Sequence, residues 1–282
     1  MKPISHIIAS NGINLHYLEY PGKGPTILLM HGLTANAHAF DGLVAAGLSP
    51  KFRVISVDLR GRGLSDKPGR GYTIPNHAKD IIGLLDHLGL EKVIMGGHSF
   101  GGLLTVFMAK KYPKRVDKML LLDAAAQMHP NTREMLGPAM GRLGQTYPSF
   151  GVYLDKIKAA PYNTFWDKQM ESYYMADVQV HPDGSVTPRS QPKHMAEAVF
   201  NVLKQPWPFF LNKLHKPALL VNAPGIYTLG AALLPEENAL ETCRLMQNCQ
   251  YVTVAGNHHT MLYGEGAKQT VKAIKKFLKE AF

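Results

Sequence analysis

Six short apolar runs are the feature that most constrains the fold of this 282-residue chain. The first two have the composition of strands buried in the sheet, and predicted helices separate most of the six. The runs span 26–30, 52–58, 92–96, 116–123, 216–222 and 250–256. Alternation of strand and helix is typical of a mostly parallel central sheet flanked by helices, so we predict an α/β fold.

Two segments depart from this alternation. Near the start, Asn11-Gly12 separates two strand-like runs and predicts a β-hairpin. Residues 124–215 contain no clear buried strand and are rich in proline, methionine and aromatic residues. We therefore predict a core of residues 1–123 and 216–282, with a helical lid inserted at 124–215.

The composition of the lid indicates what it covers. A lid turns apolar side chains toward the cleft beneath it, and methionine adapts to ligands of irregular shape. We expect a bulky, partly apolar substrate, with Trp166 among the residues that contact it. The other aromatic residues of the insert are expected to form the lid's own core in part.

Charge and composition exclude several classes of protein. The formal charge of +10 favours anionic substrates or surfaces. The lysines are scattered and no nucleic-acid-binding module is recognisable, so no nucleic-acid partner is predicted. No apolar run reaches the length of a membrane span, and the N-terminus lacks the core of a signal peptide.

We therefore expect a cytoplasmic protein, or else a mature form from which a signal peptide has been removed, without a membrane partner and as a monomer or small homo-oligomer. Cys243 and Cys249 match no zinc or redox spacing, and we expect two separate buried thiols, in keeping with a reducing compartment.

One serine lies in a cluster of glycines in the stretch "MGGHSFGG", residues 95–102. Ser99 follows a predicted strand and precedes a predicted helix. Glycine is used where the backbone bends sharply or where another backbone comes close. The serine could simply cap the helix, or the turn could present its hydroxyl as a nucleophile.

The residues that follow the other strands favour the nucleophile. Polar groups at the carboxyl ends of parallel strands meet at one edge of the sheet. Ser99, Asp123 and His258 follow three different strands, in the order nucleophile, acid, base. A serine hydroxyl needs a neutral imidazole to take its proton, and the imidazole needs a carboxylate to orient it.

Four stretches in this order carry a family resemblance: "LLMHGLTAN", "VISVDLRGRGLSD", "IMGGHSFGG" and "VAGNHHTML". Together they resemble the α/β-hydrolase fold superfamily, in its serine esterase branch. The resemblance implies an oxyanion hole formed by the backbone N–H groups of Leu33 and Phe100. It also implies that the insert occupies the position of the family's lid.

Two assignments stay open at this stage. The pattern "GNHHTM" resembles some esterases and thioesterases and selects His258 as the base, whereas a G-x-G-H pattern selects His259. Many members carry the acid after the strand at 216–222, but the loop there has no carboxylate before Glu236. Asp123 is the preferred acid, with Glu236 or Glu237 as alternatives.

The remaining candidates surround the predicted reaction centre. We expect His31, Gly32, His98 and His259 to contribute to substrate binding, with His98 mainly a packed residue of the turn. The predicted chemistry requires no metal and no organic cofactor.

The sequence thus predicts a serine hydrolase that cleaves carboxylic esters or lactones through an acyl-enzyme. A weaker resemblance connects it with esterases that open macrocyclic lactones such as macrolide antibiotics, an activity that confers antibiotic resistance. A carbon–carbon bond hydrolase or a thioesterase of the same fold is the enzymatic alternative. A small-molecule receptor that does not turn over its ligand is the alternative from another class.

Overall fold

The computed structural model describes residues 2–212 and 214–280. Eight strands form the central sheet: β1 (Ile4–Ser10), β2 (Ile13–Tyr20), β3 (Gly24–Met30), β4 (Phe52–Val57), β5 (Val93–His98), β6 (Val116–Leu122), β9 (Ala218–Asn222) and β10 (Cys249–Thr253). A separate antiparallel pair consists of β7 (Val178–Val180) and β8 (Val186–Pro188). All six predicted strands are strands of the central sheet, although β10 is only partly buried.

Eleven α-helices lie within the described residues. They are α1 (Asp41–Ala45), α2 (Ile74–His87), α3 (Phe100–Lys111), α4 (Thr132–Met135), α5 (Gly137–Met140), α6 (Phe150–Lys158), α7 (Lys168–Asp177), α8 (Pro192–Leu203), α9 (Trp207–Leu211), α10 (Glu236–Leu245) and α11 (Gly264–Glu280).

The strand order in the sheet is β1-β2-β4-β3-β5-β6-β9-β10. Only β2 runs against the others, because it pairs antiparallel with β1 and β4 while the remaining neighbours are parallel. The predicted hairpin joins β1 to β2, and both Asn11 and Gly12 have positive φ angles of 48° and 77°. The predicted α/β fold with a mostly parallel sheet is confirmed.

The interior strands of the sheet are buried on both faces, whereas the edge strands β1 and β10 are partly exposed. Ile27, Leu28, Leu29 and Met30 of β3 are fully buried, and alternate residues pack into the two apolar layers on opposite sides of the sheet. Helix α11 covers one of these layers. Burial of both faces explains why these interior strands are almost uniformly apolar.

Residues 124–215, called the insert below, connect β6 to β9 and contain α4 to α9 with the β7–β8 pair. Several of its polar side chains bond to loops of the core. Glu197 accepts from the backbone N–H groups of Gly71 and Tyr72 at 3.0 and 2.9 Å. The Asn36 amide of the core donates to the Tyr173 carbonyl of the insert at 3.2 Å.

One expectation about the chain is wrong. Cys243 and Cys249 are half-buried and form a disulfide, with their Cα atoms 5.3 Å apart. The end of α10 returns directly to the start of β10, which brings the two side chains together. The cysteines therefore give no support to a reducing compartment.

No helix among residues 2–212 and 214–280 combines the length and the hydropathy that a bilayer crossing requires.

Candidate active site

Ser99 lies in the turn between β5 and α3, with φ 53° and ψ −115°. A positive φ is rarely adopted by a residue other than glycine and indicates a strained backbone. The conformation is held by the Ser99 N–H, which donates to the Leu122 carbonyl at 3.0 Å, and by the Gly102 N–H, which donates to the Ser99 carbonyl at 2.9 Å. Ser99 therefore lies in the strained strand-to-helix turn that the sequence predicts.

The glycines around Ser99 allow close backbone packing. A Cβ atom on Gly97 would lie 2.2 Å from the carbonyl carbon of Gly101. A Cβ atom on Gly101 would lie 1.9 Å from the carbonyl oxygen of Met30. Any side chain at these positions would push α3 away from β5 and β3, so the glycines are needed for contact between elements.

Asp123 and His258 form a hydrogen-bonded pair at the carboxyl-end edge of the sheet. Oδ2 of Asp123 lies 2.7 Å from Nδ1 of His258, and both side chains are buried. Asp123 directly follows β6 and also has a positive φ, 48°. The predicted contact between this acid and this histidine is therefore present.

The other oxygen of Asp123 is held by two donors. Oδ1 accepts from the Asn222 side-chain amide at 2.9 Å and from the Ala223 N–H at 2.8 Å. The second amide hydrogen of Asn222 goes to the Leu234 carbonyl at 3.1 Å, and Tyr251 donates to its Oδ1 at 3.0 Å. Because every polar group of the Asn222 side chain has a defined partner, the amide is held toward Asp123.

The alternative acids lie away from this pair. Glu236 and Glu237 are exposed on the first turn of α10, and the Glu236 carboxylate lies 3.3 Å from the Tyr251 hydroxyl. Neither carboxylate contacts His258 within the described part of the chain.

His259, the alternative base, has a different environment. Its Nε2 lies 3.2 Å from the Tyr174 hydroxyl, and its ring contacts several tyrosine rings. Burial and the neighbouring His258 and Arg142 lower the pKa of His259 to about 3. It therefore lines the cavity as a neutral ring.

His98 connects the serine turn to the histidine loop. Its Nε2 lies 2.7 Å from the His258 carbonyl oxygen, so this nitrogen carries the proton and donates it. The two rings have centroids 4.5 Å apart. Burial is the main cause that lowers the pKa of His98 well below its usual range, and the nearby His258 lowers it further. The ring is therefore neutral.

The N–H groups of Leu33 and Phe100 are available to a ligand. Phe100 begins α3, so its N–H has no acceptor within the helix. Among the described residues, neither N–H donates to a protein acceptor. A Cβ atom placed on Gly32 would lie 3.6 Å from Cβ of Ser99, which puts the Leu33 loop beside the serine.

The buried Arg62 contacts both Leu33 and Phe100, which provide these two N–H groups. Nε of Arg62 donates to the Leu33 carbonyl at 2.9 Å, and its guanidinium carbon lies 5.4 Å from the centre of the Phe100 ring. Arg62 is fully buried. Its contacts help to fix the two backbone segments relative to one another.

Ser99 and His258 line a small cavity of about 80 Å³, called the active-site cavity below. Leu33, Gly32, His98 and His259 line it as well. Five tyrosines complete much of its wall: Tyr162, Tyr173, Tyr174, Tyr227 and Tyr263.

Two of the expected binding residues do not line the cavity. His31 is buried behind the Leu33 loop, where Nδ1 donates to the Gly32 carbonyl at 2.7 Å and Nε2 accepts from the Leu59 N–H at 3.1 Å. Trp166 stacks on Tyr174 with ring centroids 5.6 Å apart, and Tyr174 separates it from the cavity. His31 thus helps to fix the Leu33 loop, and Trp166 packs against the lining residue Tyr174.

Sequence reasoning missed four residues that shape the site. Arg142, Tyr227 and Tyr263 line the cavity, and Asn222 holds Asp123. Asn222 ends the strand after which many family members carry the acid, and this position was a signal for a role beside Asp123. Arg142 had no such signal, because nothing in its surrounding sequence marks it as buried.

The sequence model of the α/β-hydrolase fold matches residues 25–193. The chain belongs to the α/β-hydrolase fold family. It is therefore a hydrolase that acts on a small molecule.

Two comparisons extend over nearly the whole chain. The 2-(acetamidomethylene)succinate hydrolase of Mesorhizobium japonicum is 29% identical over 278 residues, which cover 98% of this chain and 95% of that protein. The crystal structure of E-2-(acetamidomethylene)succinate hydrolase superposes with a TM-score of 0.85 and 28% identity, covering 98% of this chain and 99% of that one.

A third similarity concerns the fold alone. The meta-cleavage product hydrolase of Pseudomonas fluorescens IP01 superposes with a TM-score of 0.76 at 23% identity, covering 99% of each chain.

Proposed function

We propose that this protein is a serine hydrolase that cleaves carboxylic esters, including lactones, through an acyl-enzyme. The observation that carries the proposal is the Asp123–His258 pair, 2.7 Å between Oδ2 and Nδ1, in the cavity that Ser99 also lines. Nucleophile, base and orienting acid are then contributed by three loops at one edge of the sheet.

The reaction follows from the bonding of His258. Its Nδ1–H is donated to Asp123, so Nε2 is the nitrogen that can take the proton of Ser99 Oγ. The hydroxyl oxygen attacks the ester carbonyl, and the imidazolium then gives its proton to the leaving alcohol. Water attacks the resulting acyl-enzyme with His258 again as the base, which releases the acid and restores Ser99.

The Leu33 and Phe100 N–H groups form the proposed oxyanion hole. In each tetrahedral intermediate the carbonyl oxygen carries a negative charge, which two donors held in advance stabilise. Their side chains play no direct part, because the donors belong to the backbone.

The insert acts as a lid in this proposal. It supplies three of the five tyrosines of the cavity wall, and core loops supply Tyr227 and Tyr263. The cavity of about 80 Å³ is far smaller than the ~300–1,000 Å³ of typical ligand sites, so it holds a short acyl group in this arrangement. A bulky substrate, including a macrolide-type lactone, requires the insert to move outward.

The test is a panel of esters, lactones, thioesters, acyl amides and a β-diketone with a cleavable carbon–carbon bond, with product masses as the readout. Hydrolysis of short-chain esters with an acyl-enzyme mass on Ser99 supports the proposal. The amide belongs in the panel because the substrate named for the Mesorhizobium relative contains an acetamido group. Turnover of thioesters or of carbon–carbon bonds, without ester hydrolysis, would favour the enzymatic alternatives; binding without turnover would favour a receptor.

A further inference from the structure

Arg142 brings a positive charge to the active-site cavity, but its donors are fully used. Nε and Nη2 donate to the Asp177 carboxylate at 3.1 and 3.2 Å. Nη1 donates to the Ala139 carbonyl at 2.5 Å and to Thr34 Oγ1 at 3.3 Å, and Nη2 donates to the Thr34 carbonyl at 2.8 Å. A guanidinium has five N–H groups, and these five bonds occupy all of them.

Asp177 balances the charge of Arg142 as well as its donors. The pair is buried, and the Tyr153 hydroxyl adds a further bond to Asp177 Oδ2 at 2.5 Å. Burial alone would lower the pKa of Arg142, but Asp177 beside it raises that pKa well above the usual range. The guanidinium therefore stays charged and stays bound to its carboxylate.

Apart from His258, which serves as the base of the proposed reaction and is bonded to Asp123, the other ionisable groups of the wall bring no charge to compensate an anion. Burial lowers the pKa of His98 and His259, so both rings are neutral at pH 7. Burial also raises the pKa values of the lining tyrosines above their usual range, so their hydroxyls stay protonated: Tyr162, Tyr173, Tyr174, Tyr227 and Tyr263. The net charge of +10 thus resides outside this cavity.

We propose that the active-site cavity takes uncharged acyl groups, and that Asp177 is the residue that determines this specificity. A carboxylate on the acyl group would lose its hydration and find no free cationic donor among the described lining residues. Burying such a charge without a partner is strongly unfavourable. This inference rests on the proposed ester hydrolysis, because it concerns the acyl group of that reaction.

The test compares two esters of nearly equal shape. Mono-4-nitrophenyl succinate ends in a carboxylate, whereas 4-nitrophenyl 4-methylpentanoate ends in an isopropyl group of similar size. We expect kcat/KM for the neutral ester to exceed that for the anionic ester by about 100-fold or more. Equal values would overturn the inference while leaving ester hydrolysis intact.

Two further outcomes are informative. If 4-nitrophenyl acetate is hydrolysed but both longer esters are not, length rather than charge sets the limit and the inference is wrong. If no ester is hydrolysed, acetate included, the proposed function itself fails and the inference fails with it.

Asp177→Asn tests the assigned residue. Removing the carboxylate leaves the Arg142 charge unbalanced and frees at least one N–H. The ratio of kcat/KM for the succinate ester to kcat/KM for the neutral ester should therefore rise by about 10-fold or more. Asp155→Asn is the matched control, because Asp155 is exposed on α6 of the same insert and its loss should leave the ratio unchanged. An unchanged ratio in a folded Asp177→Asn protein contradicts the assignment, and if that variant does not fold, the wild-type ratio decides.

Discussion

The cavity is built from two regions in different ways. One is the edge of the sheet where the loops that carry Ser99, Asp123 and His258 follow the strands, called the core edge below, and the other is the insert. The core edge positions Ser99, Asp123 and His258 by strand ends, strained turns and backbone hydrogen bonds. The insert contributes Arg142 and three tyrosines, which are held by side-chain contacts such as the Arg142–Asp177 pair. The contrast suggests that changes in the core edge should affect the chemical step, while changes in the insert should affect stability and substrate choice.

The largest effect is expected at Ser99, because a change at this core-edge residue should remove the chemical step itself. Ser99→Ala should fold normally and lose on the order of 10⁴-fold or more in kcat/KM, because only the oxyanion hole and binding remain. Ester hydrolysis by the pure protein measures the effect. Ser185→Ala, in the exposed turn between β7 and β8, should keep full activity. Substantial turnover by Ser99→Ala would show that Ser99 is not the nucleophile.

Asp123→Asn should have the next largest effect. An amide at this position favours the wrong tautomer of His258 and cannot stabilise the imidazolium, so kcat should fall about 10²–10⁴-fold with the fold intact. Steady-state kinetics and a thermal melt separate the two contributions. Glu236→Gln is the control, and a larger loss in Glu236→Gln than in Asp123→Asn would reverse the assignment of the acid.

Arg142→Met should affect stability rather than chemistry. It leaves the buried Asp177 carboxylate without its cation, at an expected cost of about 3–5 kcal/mol in the free energy of unfolding. Urea unfolding measures this cost. The double variant R142M/D177N should recover part of it, since no buried charge then remains unpaired. Additive losses in the double variant would contradict a direct coupling between the two residues.

The smallest effect concerns the pH dependence of stability. The pKa of His259 is about 3 in the folded protein, below the ordinary value of about 6.5 expected in the unfolded chain. Between these values the unfolded state binds more protons, so the stabilisation is complete above about pH 6.5 and is lost as the pH falls toward 3. The loss due to this group should be about 2 kcal/mol at pH 5.

His259→Gln should make the fall in stability between pH 7 and pH 5 smaller by about this amount, while the buried His31, His77 and His98 keep their own contributions. Urea unfolding at pH 7 and pH 5 measures the difference in the free energy of unfolding. The control His87→Gln, at an exposed position near the end of α2, should retain the wild-type slope. The same slope in His259→Gln and in the wild type would show that His259 does not lose a favourable environment on protonation.

The two regions also differ in how far the sequence anticipates them. The strands and the hairpin at Asn11-Gly12 follow from local patterns, because strand and turn residues dictate geometry over a few positions. The Asp123–His258 contact joins residues 135 positions apart, and it is predicted because the carboxyl ends of parallel strands meet at one edge of the sheet. The wall of the cavity does not follow from local patterns. Trp166 was expected at the substrate and instead stacks behind Tyr174, since two neighbouring aromatic side chains on a lid cannot be ranked by composition.

By itself, the sequence determined the α/β fold, the order of the strands along the chain and the loops that carry Ser99, Asp123 and His258. Only the tertiary structure decided that Asn222 holds Asp123, that Cys243 bonds to Cys249 and that Asp177 occupies the donors of Arg142. Arg142 and Asp177 are separated by 35 positions, and Asp123 and Asn222 by 99. Such contacts depend on how separate elements pack against one another, and packing is a property of the whole chain that no local periodicity encodes.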